Sequence, residues 1–256
     1  MLPAANVNHL KRKLAAGQPV NGLWVTLESA TVSEIAVMLG LDFVVIDTEH
    51  GALDFGDVLN HLRAIGDSTT TPLVRIPKID QGIIKRVLDL GAAGIIVPQV
   101  NSAAEVAEAV RLAKYPPWGI RGVGGERATR WGTAIAEYTD TANDETLVIP
   151  LLETVAAGQA LDAILDVKGV DAIWFGPADY SASAGYLGQW EGPGVAEQLL
   201  GLSGRIRARG LACGIMGTDF DDAKKRREQG FQMIGIGFDA GLLVRVINQG
   251  LAHLAP

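Results

Sequence analysis

The sequence predicts an α/β fold of the (β/α)8 TIM-barrel class, with an added helix at the N-terminus and another at the C-terminus. Three observations predict it. Short apolar runs rich in β-branched residues recur eight times along 256 residues, most of them separated by segments of helical periodicity with their own caps and stops. Many of these runs are almost continuously apolar rather than alternating, the pattern of strands covered on both faces in a parallel sheet. Several runs then break abruptly into charged residues, and in this fold class the carboxyl ends of the strands carry the chemistry. An open doubly wound sheet is the alternative. A dinucleotide fingerprint directly after the first strand is absent, which counts against it. One barrel domain over residues 1–256 is the expectation.

Asn8 can cap a short basic helix that runs through Leu14 and stops at Gly17. Strands are expected at 22–27, 43–46, 72–76, 94–100, 147–153, 172–175, 212–216 and 233–238. Helical patterns at 33–39, 54–65 and 80–90 stop at Gly40, Gly66 and Gly91, and one at 102–114 stops before Pro116-Pro117. The connection from 101 to 146 is long and carries Trp118 to Trp131, where Arg121, Arg127 and Arg130 offer forks for carboxylates among glycines that permit close backbone approach. It reads equally as a lid over an anionic substrate or as a contact between copies of the chain. A second Gly-rich excursion, 180–194, follows the sixth strand. Residues 240–254 form an amphipathic helix with Leu242, Leu243, Val246, Leu251 and Leu254 apolar, either closing the barrel or packing on a neighbouring subunit.

A chain of this length buries roughly 70–75% of the surface it exposes when unfolded, so neither disulfide nor metal is needed for stability alone. The 48% hydrophobic content with 31 glycines and only 6% aromatics suits many short buried strands with tight connections. A net charge of −7 argues against a nucleic-acid partner, since phosphate binding needs a basic surface. The single Cys213 lies in a strand, so a buried, inert thiol is expected there. Residues 1–6 lack a long apolar stretch and no later run reaches transmembrane length, so no membrane partner and a cytoplasmic location are expected.

The strongest functional signal is the end of the second strand, where Phe43-Val44-Val45-Ile46 gives way to Asp47-Thr48-Glu49-His50. A helix-capping loop is the plainer reading; three ionisable groups in four positions favour a catalytic edge, with His50 backed by Asp47 and Glu49. The third strand carries Arg75, a guanidinium in an apolar run that must meet an anion, in a structural ion pair or at a substrate. The fifth carries Glu153, which by the two-residue period shares a face with Leu151. The sixth is followed by Gly176-Pro177-Ala178-Asp179, a bend that aims Asp179 and frees backbone amides. Glu153 and Asp179 are hard oxygen donors at adjacent strand ends, suited to Mg²⁺ or Mn²⁺ with positions left open for substrate. His9 and His253 lie in terminal helices, and His61 is expected on a solvated helix face. Lys78, just past the third strand, is the one lysine placed for a Schiff base.

Val45-Ile46-Asp47-Thr48-Glu49-His50-Gly51, Val74-Arg75, Leu88-Asp89-Leu90-Gly91, the stretch from Tyr115 to Gly124, Leu152-Glu153-Thr154 and Phe175-Gly176-Pro177-Ala178-Asp179 together resemble the HpcH/HpaI aldolases, metal-dependent pyruvate aldolases acting on 4-hydroxy-2-oxo acids. The resemblance runs in the same order from about Leu10 to Leu251. It implies a divalent metal (Mg²⁺, Mn²⁺ or Co²⁺) on Glu153 and Asp179, and His50 as acid/base supported by Asp89. It also implies Arg75 at the carbonyl oxygen, the Ala178 amide at the substrate carboxylate, and a homo-oligomer, trimeric or hexameric. Asp89 ends the helix after the third strand, which runs away from the strand ends, so pairing with His50 implies a neighbouring subunit. Well-studied members have Gln two residues before the metal-binding Glu; here that position is Leu151, which implies a less polar acceptor pocket. The implied reaction is reversible cleavage of a 4-hydroxy-2-oxo acid to pyruvate, or a hydroxypyruvate-like donor, and an aldehyde. A lyase of acyl-thioesters on the same scaffold and a non-catalytic 2-oxo-acid binder are the alternatives.

Overall fold

Strands β1 (Val20–Val25), β2 (Phe43–Asp47), β3 (Thr71–Arg75), β4 (Gly94–Val97), β5 (Leu147–Leu152), β6 (Ala172–Phe175), β7 (Ala212–Met216) and β8 (Met233–Phe238) pair in parallel in chain order, and β8 returns to β1 to close a barrel. The computed structural model describes residues 7–192 and 194–255; the reading of residues 1–6 lies outside them. The helices are α1 (His9–Ala15), α2 (Thr31–Met38), α3 (Phe55–Ile65), α4 (Gln81–Asp89), α5 (Ala103–Ala113), α6 (Ile135–Glu145), α7 (Val155–Gln159), α8 (Leu161–Leu165), α9 (Pro177–Ser183), α10 (Val195–Ala208), α11 (Phe220–Glu228) and α12 (Asp239–Leu254). Their starts follow from local chemistry: the side chains of Asn8, Asp54, Asp80, Ser102, Thr154 and Asp219 each accept a first-turn N–H.

Strand alternation sorts the core into two clusters. Phe43, Val45, Leu73, Ile96, Ile149 and Trp174 fill the barrel interior, while Val44, Ile46, Val74, Ile95, Val148 and Phe175 pack beneath the helices. The interior holds two bulky rings because glycines stand opposite them. A Cβ on Gly22 would run into the Phe43 ring, and one on Gly214 would sit 2.5 Å from Trp174. Helix α1 closes the end where strands begin. Leu10 and Leu14 join the interior cluster, and the Asn8 side chain donates to the carbonyls of Ala93 and Glu145 at the starts of β4 and β5.

One expectation is corrected and two open readings are narrowed. His61 is fully buried, not solvated: its Nε2 donates to the Leu27 carbonyl at 3.1 Å, so its Nδ1 accepts from the Ser33 hydroxyl at 2.8 Å. The 101–146 connection does not cover the strand ends of its own chain, because its arginines are engaged at the opposite end of the barrel. Arg121 is buried over the rings of Tyr115 and Tyr138 and donates to Asp89 at 2.8 Å. Arg127 donates to the carbonyls of Leu90 and Leu62 in the last turns of α4 and α3, where a cation complements the helix dipole. This connection also contains α6, which the sequence reading lacked. Helix α12, finally, closes the barrel only at its start: Leu242 packs on the core, while Leu243, Val246, Leu251 and Leu254 are exposed. Cys213 is buried as expected, its thiol pushed up to about 11 by desolvation.

Burial lowers the His61 pKa below the ordinary imidazole value. The unfolded chain therefore takes up this proton first as pH falls, so the stability contributed by neutral His61 is complete above pH ~6.5 and lost progressively below it. Denaturant unfolding between pH 7.5 and 5 should show wild-type stability falling more steeply than that of His61→Gln; parallel curves would contradict the buried neutral ring.

Candidate active site

The carboxyl ends of the strands surround a cavity of about 510 Å³. His50, Arg75, Leu151, Glu153, Gly176, Pro177, Ala178 and Asp179 all line it, so it gathers residues from β2, β3, β5 and β6 that are far apart in the chain. A wider hollow of about 710 Å³ beside Tyr115, Val123 and α6 has Glu137 and Asp140 as its carboxylates and no cationic group among its lining residues. The convergent chemistry is at the barrel mouth.

Asp47 organises one side of that mouth. It is fully buried and lies directly opposite Arg75 in the β2–β3 register. Its Oδ1 accepts Arg75 Nε at 2.9 Å, and Arg75 Nη2 donates to Oδ2, a two-point pairing that fixes the guanidinium plane. The same Oδ1 accepts the backbone N–H groups of Glu49 at 3.0 Å and His50 at 3.3 Å, which folds the chain back after β2. Arg75 Nη1 also meets Glu49 Oε2 at 2.9 Å, and the guanidinium lies 4.7 Å from the Trp24 ring centre. The structural ion pair and the cavity position are thus both properties of Arg75. Burial raises the Glu49 pKa, with Arg75 opposing it.

Glu153 stands across the cavity, one residue past β5, and Leu151 lines the same cavity as the strand period requires. Its Oε1 accepts the Gln99 backbone N–H at 2.5 Å. Gln99 adopts φ 52°, and its carbonyl accepts from Asn101 Nδ2 at 2.9 Å; Asn101 Oδ1 in turn accepts from the Thr154 hydroxyl at 2.6 Å. Gly176 is needed beside it, because a Cβ there would sit 2.8 Å from Glu153 Cβ and 2.9 Å from Oε2. Instead of a plain bend, residues after β6 start α9 with Gly176 as cap and Pro177 in the first turn. Asp179 falls in that first turn, and the Ala178 amide precedes any intrahelical acceptor.

Desolvation, with the charges of Glu49 and Asp179 adding to it, pushes the Glu153 carboxyl up to about 7 despite the Gln99 amide and Arg75. A buried carboxylate beside two others, with one guanidinium between them, is a site short of positive charge. Hard oxygen donors in such surroundings fit a divalent cation. Among the described residues no group of three or more His, Cys, Asp or Glu side chains forms a metal site, so an ion here would rest on two carboxylates and on oxygens from substrate or water.

Asp89 is not brought to His50 within the chain. It ends α4 on the side where strands begin and there accepts from Arg121. Lys78 is exposed and does not line the cavity. The sequence reading lacked the Gln99 amide, Asn101, and the lining residues Trp24, Trp190, Met216, Phe238 and Arg245. A backbone donor leaves no letter in a sequence; the strand ends after β7 and β8 could have been examined for Met216 and Phe238.

The HpcH/HpaI aldolase/citrate lyase family model matches residues 21–246. The 4-hydroxy-2-oxovalerate aldolase of Rhodococcus jostii is 38% identical over 97% of this chain and 96% of its own length. The hydroxypyruvate/pyruvate aldolase of Agrobacterium fabrum is 40% identical over 91% of this chain and 88% of its own. A crystal structure of a family protein from Burkholderia cenocepacia superposes with a TM-score of 0.93 at 34% identity, covering 97% of this chain and 99% of that one. The chain belongs to the HpcH/HpaI aldolase/citrate lyase family.

Proposed function

We propose that the chain is a metal-dependent aldolase that reversibly cleaves a 4-hydroxy-2-oxo acid to pyruvate, or a hydroxypyruvate-like product, and an aldehyde. The observation that carries this reading is the convergence of Glu153, Asp179, Arg75 and His50 on one cavity at the strand ends of a family barrel. Glu153 and Asp179 would hold the divalent ion, whether Mg²⁺, Mn²⁺ or Co²⁺, which when bound supplies Lewis-acid polarisation of the 2-oxo acid.

The chain's own groups account for the proton and the charge. His50 takes the proton of the substrate's 4-hydroxyl, directly or through a water. The C3–C4 bond breaks, its electron pair passes into the C2–C3 bond, and the aldehyde leaves. Negative charge gathers on the C2 oxygen, opposite Arg75. Asp47 accepts two of the five N–H groups of Arg75 and Glu49 lies in ion-pair contact at Nη1, which orients the guanidinium plane and leaves N–H groups for that oxygen. Protonation of C3, by the proton that His50 took or through a water, completes pyruvate and returns His50 to its starting form. The Ala178 amide, with Gly176 and Pro177 shaping the turn, faces the substrate carboxylate in this reading, and Leu151 borders the aldehyde. Asp89 can support His50 only from a second copy of the chain. The exposed apolar face of α12 suits packing on a neighbour, in a trimer or hexamer as the family resemblance implies. No helix among the described residues is long and apolar enough to cross a membrane, and we take the cytoplasm as its location.

Chelation with EDTA should abolish pyruvate release from 4-hydroxy-2-oxo acids, and Mg²⁺, Mn²⁺ or Co²⁺ should restore it; Glu153→Gln and Asp179→Asn should resemble the chelated protein. Turnover that survives chelation, with borohydride trapping a covalent adduct at Lys78, would overturn the metal reading. Arg75→Lys should keep a carboxylate partner yet lower kcat by about 10²–10³-fold, with a smaller change in KM. Full turnover in that variant, or mere unfolding, would return Arg75 to a structural role.

A further inference from the structure

The cavity is divided by position around the barrel. Four of its ionisable residues, His50, Arg75, Glu153 and Asp179, lie at the ends of β2, β3, β5 and β6. The remaining arc, over β7, β8 and β1, is mostly apolar: Met216 ends β7, Phe238 ends β8, Trp24 rises from β1, and Leu242 reaches in from α12, with Thr218, Arg245 and the unpartnered Trp24 indole N–H as its polar groups. Leu151 stands at the border beside Glu153. Trp190 completes the wall and is fastened from outside, its ring 5.3 Å from the Arg226 guanidinium and its neighbour Glu191 paired with Lys225 at 2.6 Å. Trp24 packs against Trp174 at 5.4 Å and Phe238 at 5.7 Å, so this arc is a joined aromatic surface rather than scattered side chains.

Resting on the aldolase reading above, we propose that the aldehyde half of the substrate is apolar: C4 of the 4-hydroxy-2-oxo acid carries a branched-alkyl or aryl group. A 2-oxo acid held by its carboxylate and carbonyl in the charged arc has its C4 substituent left to cross the apolar one. At about 510 Å³ the cavity lies in the range of sites for drug-sized ligands and has room for such a group. A hydroxylated substituent set against Leu151, Met216 and Phe238 would lose water and find, on β1, only the single Trp24 indole N–H as a donor. The one cation in this arc is Arg245. It donates from Nη2 to the Thr218 carbonyl and lies 5.5 Å from the Phe220 ring, while its Nη1 is buried without a hydrogen-bond partner. A terminal carboxylate on the substrate is therefore the competing specificity.

The test compares kcat/KM for pyruvate release by the Mg²⁺-loaded protein from 4-hydroxy-2-oxo acids bearing isopropyl, phenyl, dihydroxyethyl or carboxyethyl at C4. The isopropyl and phenyl compounds should exceed the other two by about tenfold or more, the scale that a methylene or two contributes in an apolar pocket. Leu151→Gln and Met216→Gln should each shrink that ratio. Equal values, or preference for the dihydroxyethyl compound, would overturn the inference while leaving the aldolase reading intact. Preference for the carboxyethyl compound that disappears in Arg245→Met would also overturn it and assign specificity to Arg245. Absence of pyruvate from all four would instead overturn the aldolase reading on which the inference rests. The unaltered protein decides the question even if a variant fails to fold.

Discussion

The Asp47 carboxylate is the constraint on which the barrel mouth depends. A charge with no solvent exposure is tolerable only when its lone pairs are met, and here the Arg75 guanidinium and two backbone amides meet them. Breaking such a pair by removing one partner typically costs about 3–5 kcal/mol, because the other charge stays buried. The parallel register sets Asp47 and Arg75 side by side at the ends of β2 and β3. One carboxylate thereby fixes the plane of the guanidinium and the path of the chain that carries Glu49 and His50.

Negative charge accumulates around that pair. Glu49 and Glu153 both have raised pKa values, with desolvation the leading cause in each, and Asp179 adds to both. The protein holds Glu153 in place with the Gln99 amide on one oxygen and a glycine, Gly176, where any side chain would displace it. Both devices hold the carboxylate in position and neither supplies a positive charge beside it. That unrelieved surplus is the physical reason a divalent cation fits, and it comes from this chain's own packing.

Much of this was legible in the sequence because it rests on local rules. Each of the eight strands lies where an apolar run predicted one, with limits shifted by three residues or fewer, and the helices read from 54, 80 and 102 begin there, with Asp54, Asp80 and Ser102 as their caps. The abrupt change from Ile46 to Asp47 marked the site because a helix-capping loop needs one such side chain, not three ionisable groups in four positions. What depends on distant pairing was not legible. His61 looked solvated because Ser33 and the Leu27 carbonyl, its partners, lie 28 and 34 residues away. The arginines of the 101–146 connection looked available for a substrate because nothing local shows that Asp89 and helix-end carbonyls already hold them. Of the apolar side of the cavity only Leu151 gave a sign, for the same reason: Trp24 and Phe238 become neighbours only when β8 closes on β1.

The central claim is that this mouth forms and stabilises the pyruvate enolate at a cation site built on Glu153 and Asp179. Proton NMR of pyruvate in D2O measures it directly, since loss of the methyl signal reports enolate formation without any aldehyde. The account predicts protein-catalysed exchange that requires a divalent metal and is lost in Glu153→Gln. Exchange that proceeds undiminished after chelation, or its absence in a metal-loaded protein that still releases pyruvate from a 4-hydroxy-2-oxo acid, would contradict it.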